Sequence, residues 1–145
     1  VTTIATDGRV MAADGRTVGN GTILNDRSKK LYRLPDGSIV GGAGDADFLP
    51  KAVEELARSI RDEEEPALVK GDYALIRLMP KGQLLYYYEK LLPTVVFAPF
   101  AIGSGSAFAE GAMLAGKHPV DAVKIATLRD TGTGGRIHTL KPRPA

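Results

Sequence analysis

The hydrophobic period of this sequence alternates between strand and helix, and the order of that alternation limits the folds open to it. The N-terminal part reads as short strands. Residues 3–6 and 9–13 flank Asp7-Gly8, a two-residue hairpin signal because both turn positions favour positive φ. Residues 30–34 and 38–42 flank Pro35-Asp36-Gly37, where proline presets φ and aspartate bonds its own backbone. Between these hairpins lies a connection rich in glycine and asparagine, residues 14–26, with one short strand expected at 22–24.

The period then becomes helical. Leu49, Ala52, Val53, Leu56, Ala57 and Ile60 share one face, while Lys51, Glu54, Glu55 and Arg58 take the other. A helix follows over 47–65, with Asp47 as its cap, Pro50 in its first turn and Pro66 beyond its end. Glu63-Glu64-Glu65 is its solvated terminus. Strands return at 73–79 and 83–89 around Pro80-Lys81-Gly82, and a further strand is expected at 94–102. Within Tyr86-Tyr87-Tyr88 only alternate rings can share a face. Ser106 is placed to cap a helix over 107–115. Pro119 opens another, whose Val120, Ala122, Val123, Ile125, Ala126 and Leu128 make a broad apolar face. A glycine-rich turn at 130–135 leads to a last strand at 136–140. This order predicts an α+β fold in which sheets are sandwiched by helices.

At 145 residues, 43% hydrophobic and 25% charged, the chain is one domain able to bury a core. A formal charge of +2 is too small and scattered to argue for nucleic acid. The longest apolar stretch, residues 91–102, carries Pro93 and Pro99 and falls short of the roughly 20 residues a bilayer span needs. The first seven residues lack the charged and apolar regions of a secretory signal. A soluble, cytoplasmic protein without a membrane partner is expected.

The chemistry is limited by what is missing. With no cysteine, thiolate catalysis and Cys-ligated metal sites are excluded. His118 and His138, the two histidines, leave little room for a metal site or a Ser-His-Asp triad, and each reads as structural or exposed. Gly41-Gly42-Ala43-Gly44, Gly103-Ser104-Gly105-Ser106 and Gly132-Thr133-Gly134-Gly135 fit neither a phosphate loop nor a dinucleotide fingerprint, so each alone is a turn or close backbone approach. No cofactor is implied. One nucleophile class remains, a hydroxyl served by the chain's own α-amine. Such an amine has a reference pKa of about 7.7–8.0 and can take a proton without histidine.

Thr2-Thr3-Ile4, Met11-Ala12-Ala13-Asp14-Gly15-Arg16, Lys29-Lys30-Leu31, Gly42-Ala43-Gly44, Gly103-Ser104-Gly105-Ser106 and Arg129-Asp130-Thr131-Gly132-Thr133-Gly134-Gly135 occur in one order. That order resembles the proteasome β-type family of N-terminal nucleophile hydrolases, which includes the bacterial peptidase HslV. The resemblance runs from Thr2 to about Leu140.

It implies a four-layer αββα sandwich, two antiparallel sheets between helical layers, and a threonine-type endopeptidase acting through an acyl-enzyme. Thr2 would be the nucleophile once it is the first residue. Asp14 would hold Lys30 beside it, and the Lys30 ammonium would favour loss of the hydroxyl proton. Lys29 competes for that role, but its spacing to the glycines favours Lys30. The backbone N–H of Gly44 would face the oxyanion. Ser104, Asp130 and Thr133 would orient the terminal amine and pass protons; Thr133 stands where family members commonly carry serine. Peptides or unfolded proteins would be the substrates, a homo-oligomeric ring the assembly, and an ATP-dependent unfoldase a partner in question.

Two departures bear on this. Val1 precedes Thr2, and while it is attached the Thr2 nitrogen is an amide and no base. The family also has two long helices before its central hairpin, and residues 66–72 are too few for the second, so one helical layer is reduced. Two alternatives therefore stand beside the peptidase: a weak or inactive proteasome-like shell or interaction protein, and an N-terminal nucleophile amidase acting on small amides.

Overall fold

The structure, a computed structural model, describes residues 1–144. The chain opens with β1 (Ile4–Thr6) and β2 (Met11–Ala13), which pair antiparallel. Their loop is longer than the two residues expected. It spans 7–10, where the Asp7 carboxylate accepts from the N–H groups of Arg9 and Val10. Residues 14–26 hold a hairpin of β3 (Thr17–Gly19) and β4 (Thr22–Asn25) rather than one strand. Its turn is Asn20-Gly21, both at positive φ, a signal present in the sequence that the expectation of a lone strand overlooked.

β5 (Leu31–Arg33) and β6 (Ile39–Gly44) pair as expected, and α1 (Leu49–Asp62) follows. Phe48, not Asp47, sits at the helix cap. Asp45 prepares the helix instead: its carboxylate accepts from Asp47 N–H, and its carbonyl accepts from Leu49 N–H at 2.9 Å. β7 (Tyr73–Leu78) and β8 (Leu84–Tyr88) form the central hairpin. The single strand expected at 94–102 is two strands, β9 (Thr94–Val96) and β10 (Phe100–Ile102), separated by a cis Ala98–Pro99 peptide and lying in different sheets. α2 (Ser106–Leu114) has Gly105 at its cap, so Ser106 lies inside the helix and makes no capping bond. α3 (Pro119–Thr127) is capped by His118, whose Nδ1 accepts from Val120 N–H, and β11 (His138–Leu140) closes the chain.

Period-two alternation then builds the layers. One sheet runs β10-β1-β2-β11 and the other β5-β6-β7-β8-β9, with β3-β4 a separate ribbon. Ile4, Met11, Ala13 and Ile102 face Leu31, Ile39, Ile76, Leu78 and Leu84 between the sheets. The opposite face of the first sheet presents the small residues Ala5, Ala12 and Ala101, against which α2 and α3 pack through Ala109, Met113, Ala122, Val123 and Ala126. On the far side, Val40, Tyr73, Leu75 and Tyr87 receive Ala52 and Leu56 of α1. The tyrosine run divides as strand geometry demands: Tyr87 faces α1, while Tyr86 and Tyr88 stack on the other side. The result is an αββα sandwich with two helices on one sheet and α1 on the other. None of the described helices is long and apolar enough to cross a membrane.

Candidate active site

Thr2 lies two residues before β1, where glycines of two segments close on residues 1–3. An added Cβ at Gly103 would stand 2.0 Å from the Thr2 carbonyl oxygen, and Gly103 has φ +98°, so this approach needs glycine twice over. At Gly132 the same atom would press on Val1, and at Gly105 it would strike the Thr3 hydroxyl. Gly44, at the end of β6 with φ +137°, is held against the Asp72 carbonyl and the Tyr73 backbone. These are the close approaches expected of each glycine segment: Gly103 meets Thr2, Gly105 and Gly132 meet its two neighbours, and Gly44 lines the same cleft as Thr2.

Asp14, just past β2, is fully buried and every oxygen is used. Oδ1 accepts from Thr3 N–H at 3.1 Å and from the Lys30 ammonium at 2.8 Å. Oδ2 accepts from Gly134 N–H at 3.0 Å and Arg16 N–H at 3.3 Å. Lys30, just before β5, spends its remaining protons on the Arg16 carbonyl at 2.6 Å and on Thr2 Oγ1 at 3.1 Å. The ammonium is thus fully satisfied and aimed at the hydroxyl. Burial lowers the Lys30 pKa below the ordinary lysine range, against the opposing pull of Asp14. Lys29 turns the other way, its ammonium 5.0 Å from the centre of the Tyr32 ring.

On the opposite side of Thr2, its N–H donates to Ser104 Oγ at 3.1 Å, and Ser104 Oγ donates to Asp130 Oδ2 at 2.6 Å. Thr133 Oγ1 donates to the same Asp130 oxygen. Burial alone would raise the Asp130 pKa, but the Ser104 and Thr133 hydroxyls and Gly132 N–H hold it below the usual carboxylate range. With Val1 attached, the Thr2 hydroxyl donates to the Val1 carbonyl oxygen. A cleft of about 460 Å³ opens over the group, walled by Thr2, Lys30, Gly44, Val18, Leu49 and Asp72 among others.

Of the seven residues singled out from the sequence, Thr2, Lys30 and Gly44 line this cleft, Asp14 reaches Thr2 through Lys30, and Ser104, Asp130 and Thr133 reach it through one hydrogen-bonded chain. One participant was missed. Thr3, fully buried, has its hydroxyl 2.7 Å from Thr133 Oγ1. Since the Thr133 proton goes to Asp130, Thr3 must be the donor in that pair. Its only sequence signal was the Thr2-Thr3 repeat. Among the described residues no His, Asp or Glu cluster could hold a metal ion.

Comparison with known proteins gives the same class. The chain is similar over 97% of its length to HslV from Trypanosoma brucei, covering 98% of that chain with a TM-score of 0.72 at 20% identity. It is similarly close to Thiobacillus denitrificans BPH, also solved in complex with epoxomicin, with a TM-score of 0.70 at 20% identity and 99% of each chain covered. The fold is that of the N-terminal nucleophile hydrolases. In sequence, the chain is 31% identical over 94 residues to a proteasome subunit beta of Archaeoglobus profundus and 36% identical over 94 residues to that of Ferroglobus placidus. Those matches take in 61% of this chain but only 44% and 45% of the relatives, so the chain spans less than half the length of the curated relatives it matches. No family model matches the chain. The resemblance to the proteasome β-type family is borne out in sequence and in fold.

Proposed function

We propose that this chain is a threonine-type endopeptidase whose nucleophile is Thr2, acting once Thr2 is the first residue. What supports this most is the Lys30 ammonium, 3.1 Å from Thr2 Oγ1 and 2.8 Å from the buried Asp14, at the wall of an open cleft.

In the proposed cycle the free amine of Thr2 takes the proton of its own Oγ1, and Oγ1 attacks the scissile carbonyl carbon. The Lys30 ammonium stabilises negative charge on Oγ1 as it develops, and Asp14 keeps that ammonium charged and aimed. The carbonyl oxygen becomes an oxyanion facing Gly44 N–H, a kind of contact worth roughly 3 kcal/mol per donor. The carbon–nitrogen bond then breaks as the amine passes its proton to the leaving nitrogen. An ester remains on Thr2 Oγ1. Water, deprotonated by the same amine, hydrolyses it and restores the hydroxyl. Ser104, Asp130 and Thr133 orient the amine throughout.

On this reading the chain is one subunit of a cytoplasmic homo-oligomeric ring acting on peptides or unfolded protein, and an ATP-dependent unfoldase would deliver the latter. The test is hydrolysis of fluorogenic peptides by the chain beginning at Thr2. Activity should vanish in Thr2→Ala and fall about a hundredfold or more in Lys30→Met. Peptide cleavage that survives Thr2→Ala would reject the assignment. A second reading, an inactive shell protein, is favoured by one observation: with Val1 attached, the Thr2 nitrogen is an amide whose proton is committed to Ser104. Retention of Val1 in the assembled protein, read by intact mass, would select it.

A further inference from the structure

Adjoining the cleft is a second pocket of about 140 Å³, lined by Arg27, Ser28, Lys29, Arg136 and His138. It sits where the segment carrying Lys30 meets the segment entering β11, and it shares Ser28 and Lys29 with the cleft over Thr2. Its composition is one-sided. Three cations line it and no carboxylate does, in a chain whose formal charge is only +2. Among the described residues, none of these three cations makes a salt bridge. The acids on neighbouring segments are already engaged, Asp26 by Arg16 at 2.9 Å and Asp14 by Lys30 at 2.8 Å.

His138 adds a directed donor. Its Nε2 accepts from the Lys30 backbone N–H at 3.4 Å, so the neutral ring carries its proton on Nδ1. No acceptor for that proton is found among the described residues. The groups bearing on this ring are Lys30, Arg136 and Lys29, all positive, and the carboxylate of Asp14. Burial, followed by the Lys30 charge, keeps the ring's pKa below the ordinary histidine value. The guanidinium groups of Arg27 and Arg136 and the unused His138 N–H form a donor set for an anion of carboxylate size, beside a Lys29 ammonium that lies over the Tyr32 ring and a Ser28 hydroxyl that is bonded to Thr17.

We propose that this pocket is a subsite of the peptide-binding cleft that takes the side-chain carboxylate of an Asp or Glu in the substrate. The shared Ser28 and Lys29 give the route, since a peptide lying over Thr2 passes them to reach Arg136 and His138. The proposal rests on the peptidase reading for its substrate class, but the pocket can be tested without turnover.

The experiment uses the chain beginning at Thr2 and peptides paired as Glu or Gln at each position around the scissile bond. At one position Glu should be cleaved about fivefold faster in kcat/KM, the scale of one favourable exposed ion pair. The preference should shrink with added salt. Arg27→Gln with Arg136→Gln, both exposed positions, should abolish it, bringing the Glu and Gln peptides to equal kcat/KM. Equal cleavage of every pair, or a preference that survives both substitutions, would overturn the proposal. If no peptide is cleaved at all, the peptidase reading fails and NMR titration of His138 still decides the pocket. A Glu peptide that raises the imidazole pKa where its Gln partner does not supports the site; no difference overturns it. Inorganic phosphate is the second arm, and a shift with phosphate but none with the Glu peptide would overturn the assignment to substrate.

Discussion

At the scale of single residues, proton counting assigns more than distances do. Asp130 receives two hydroxyl protons, so Thr133 has only its lone pairs to offer Thr3, and the chain Thr3 to Thr133 to Asp130 has one direction. Thr3→Val deletes the donor and should leave Thr133 free to rotate away from Asp130. The account predicts a fall of about tenfold in kcat with KM little changed, and recovery in Thr3→Ser, read by peptide hydrolysis. The Asp14–Lys30 pair gives a second prediction. Asp14→Ala strands a buried ammonium and should cost about 3–5 kcal/mol in denaturant unfolding. Lys30→Met in the same chain should return part of that loss, because the uncompensated charge is gone. Additive losses would mean that the pair is not coupled.

At the scale of elements, what the sequence made legible follows from how local each signal was. The hairpins around Pro35-Asp36-Gly37 and Pro80-Lys81-Gly82 carry their turn chemistry within three residues, and both form as expected. β3 was overlooked because the ribbon it forms with β4 packs in neither sheet and β4 is exposed along its length, so no alternation of burial marks it. The division of β9 from β10 was invisible for another reason: a continuous apolar run does not say where a chain leaves one sheet for the other. The caps of α1 and α2 differ from expectation by one residue each, since Phe48 and Gly105 hold the cap positions and neither helix uses a side-chain capping bond to mark its start. The site was legible because its motifs are short and ordered, while Thr3 was not, since its role depends on a contact 130 positions away. The ribbon also carries a prediction. Amide exchange of β3 and β4 should be far faster than that of β6 and β7, which lie inside the five-stranded sheet. Leu56→Ala, where α1 alone covers the sheet, should cost about 2–5 kcal/mol by thermal or denaturant unfolding.

For the whole molecule, two kinds of titrating group shape stability toward acid. His138 has a folded-state pKa below its unfolded value of about 6.5, so the unfolded chain binds more protons as pH falls past that point. The His138 contribution is therefore fully present above about pH 6.5 and is lost as pH falls through the depressed value. Asp36 and Asp130 are also depressed, each against the opposing effect of burial, by hydrogen bonds that favour the carboxylate, with Arg77 assisting at Asp36. Their contribution is present above the unfolded value of about 3.9 and is lost as pH falls through the depressed values. Melting temperature followed from pH 8 to pH 3 should fall in two stages, and His138→Gln should flatten the upper one. A single acid transition unaffected by that substitution would contradict the assignment.

The central claim is that Thr2 works through its own amine, and one comparison reaches it directly. The chain beginning at Thr2 and the chain carrying Val1 are assayed side by side for peptide hydrolysis, with intact mass recorded throughout. The account predicts cleavage by the Thr2-first chain at once, and by the other only in step with loss of Val1. Equal cleavage with Val1 still attached, or none by a folded Thr2-first chain, would contradict it.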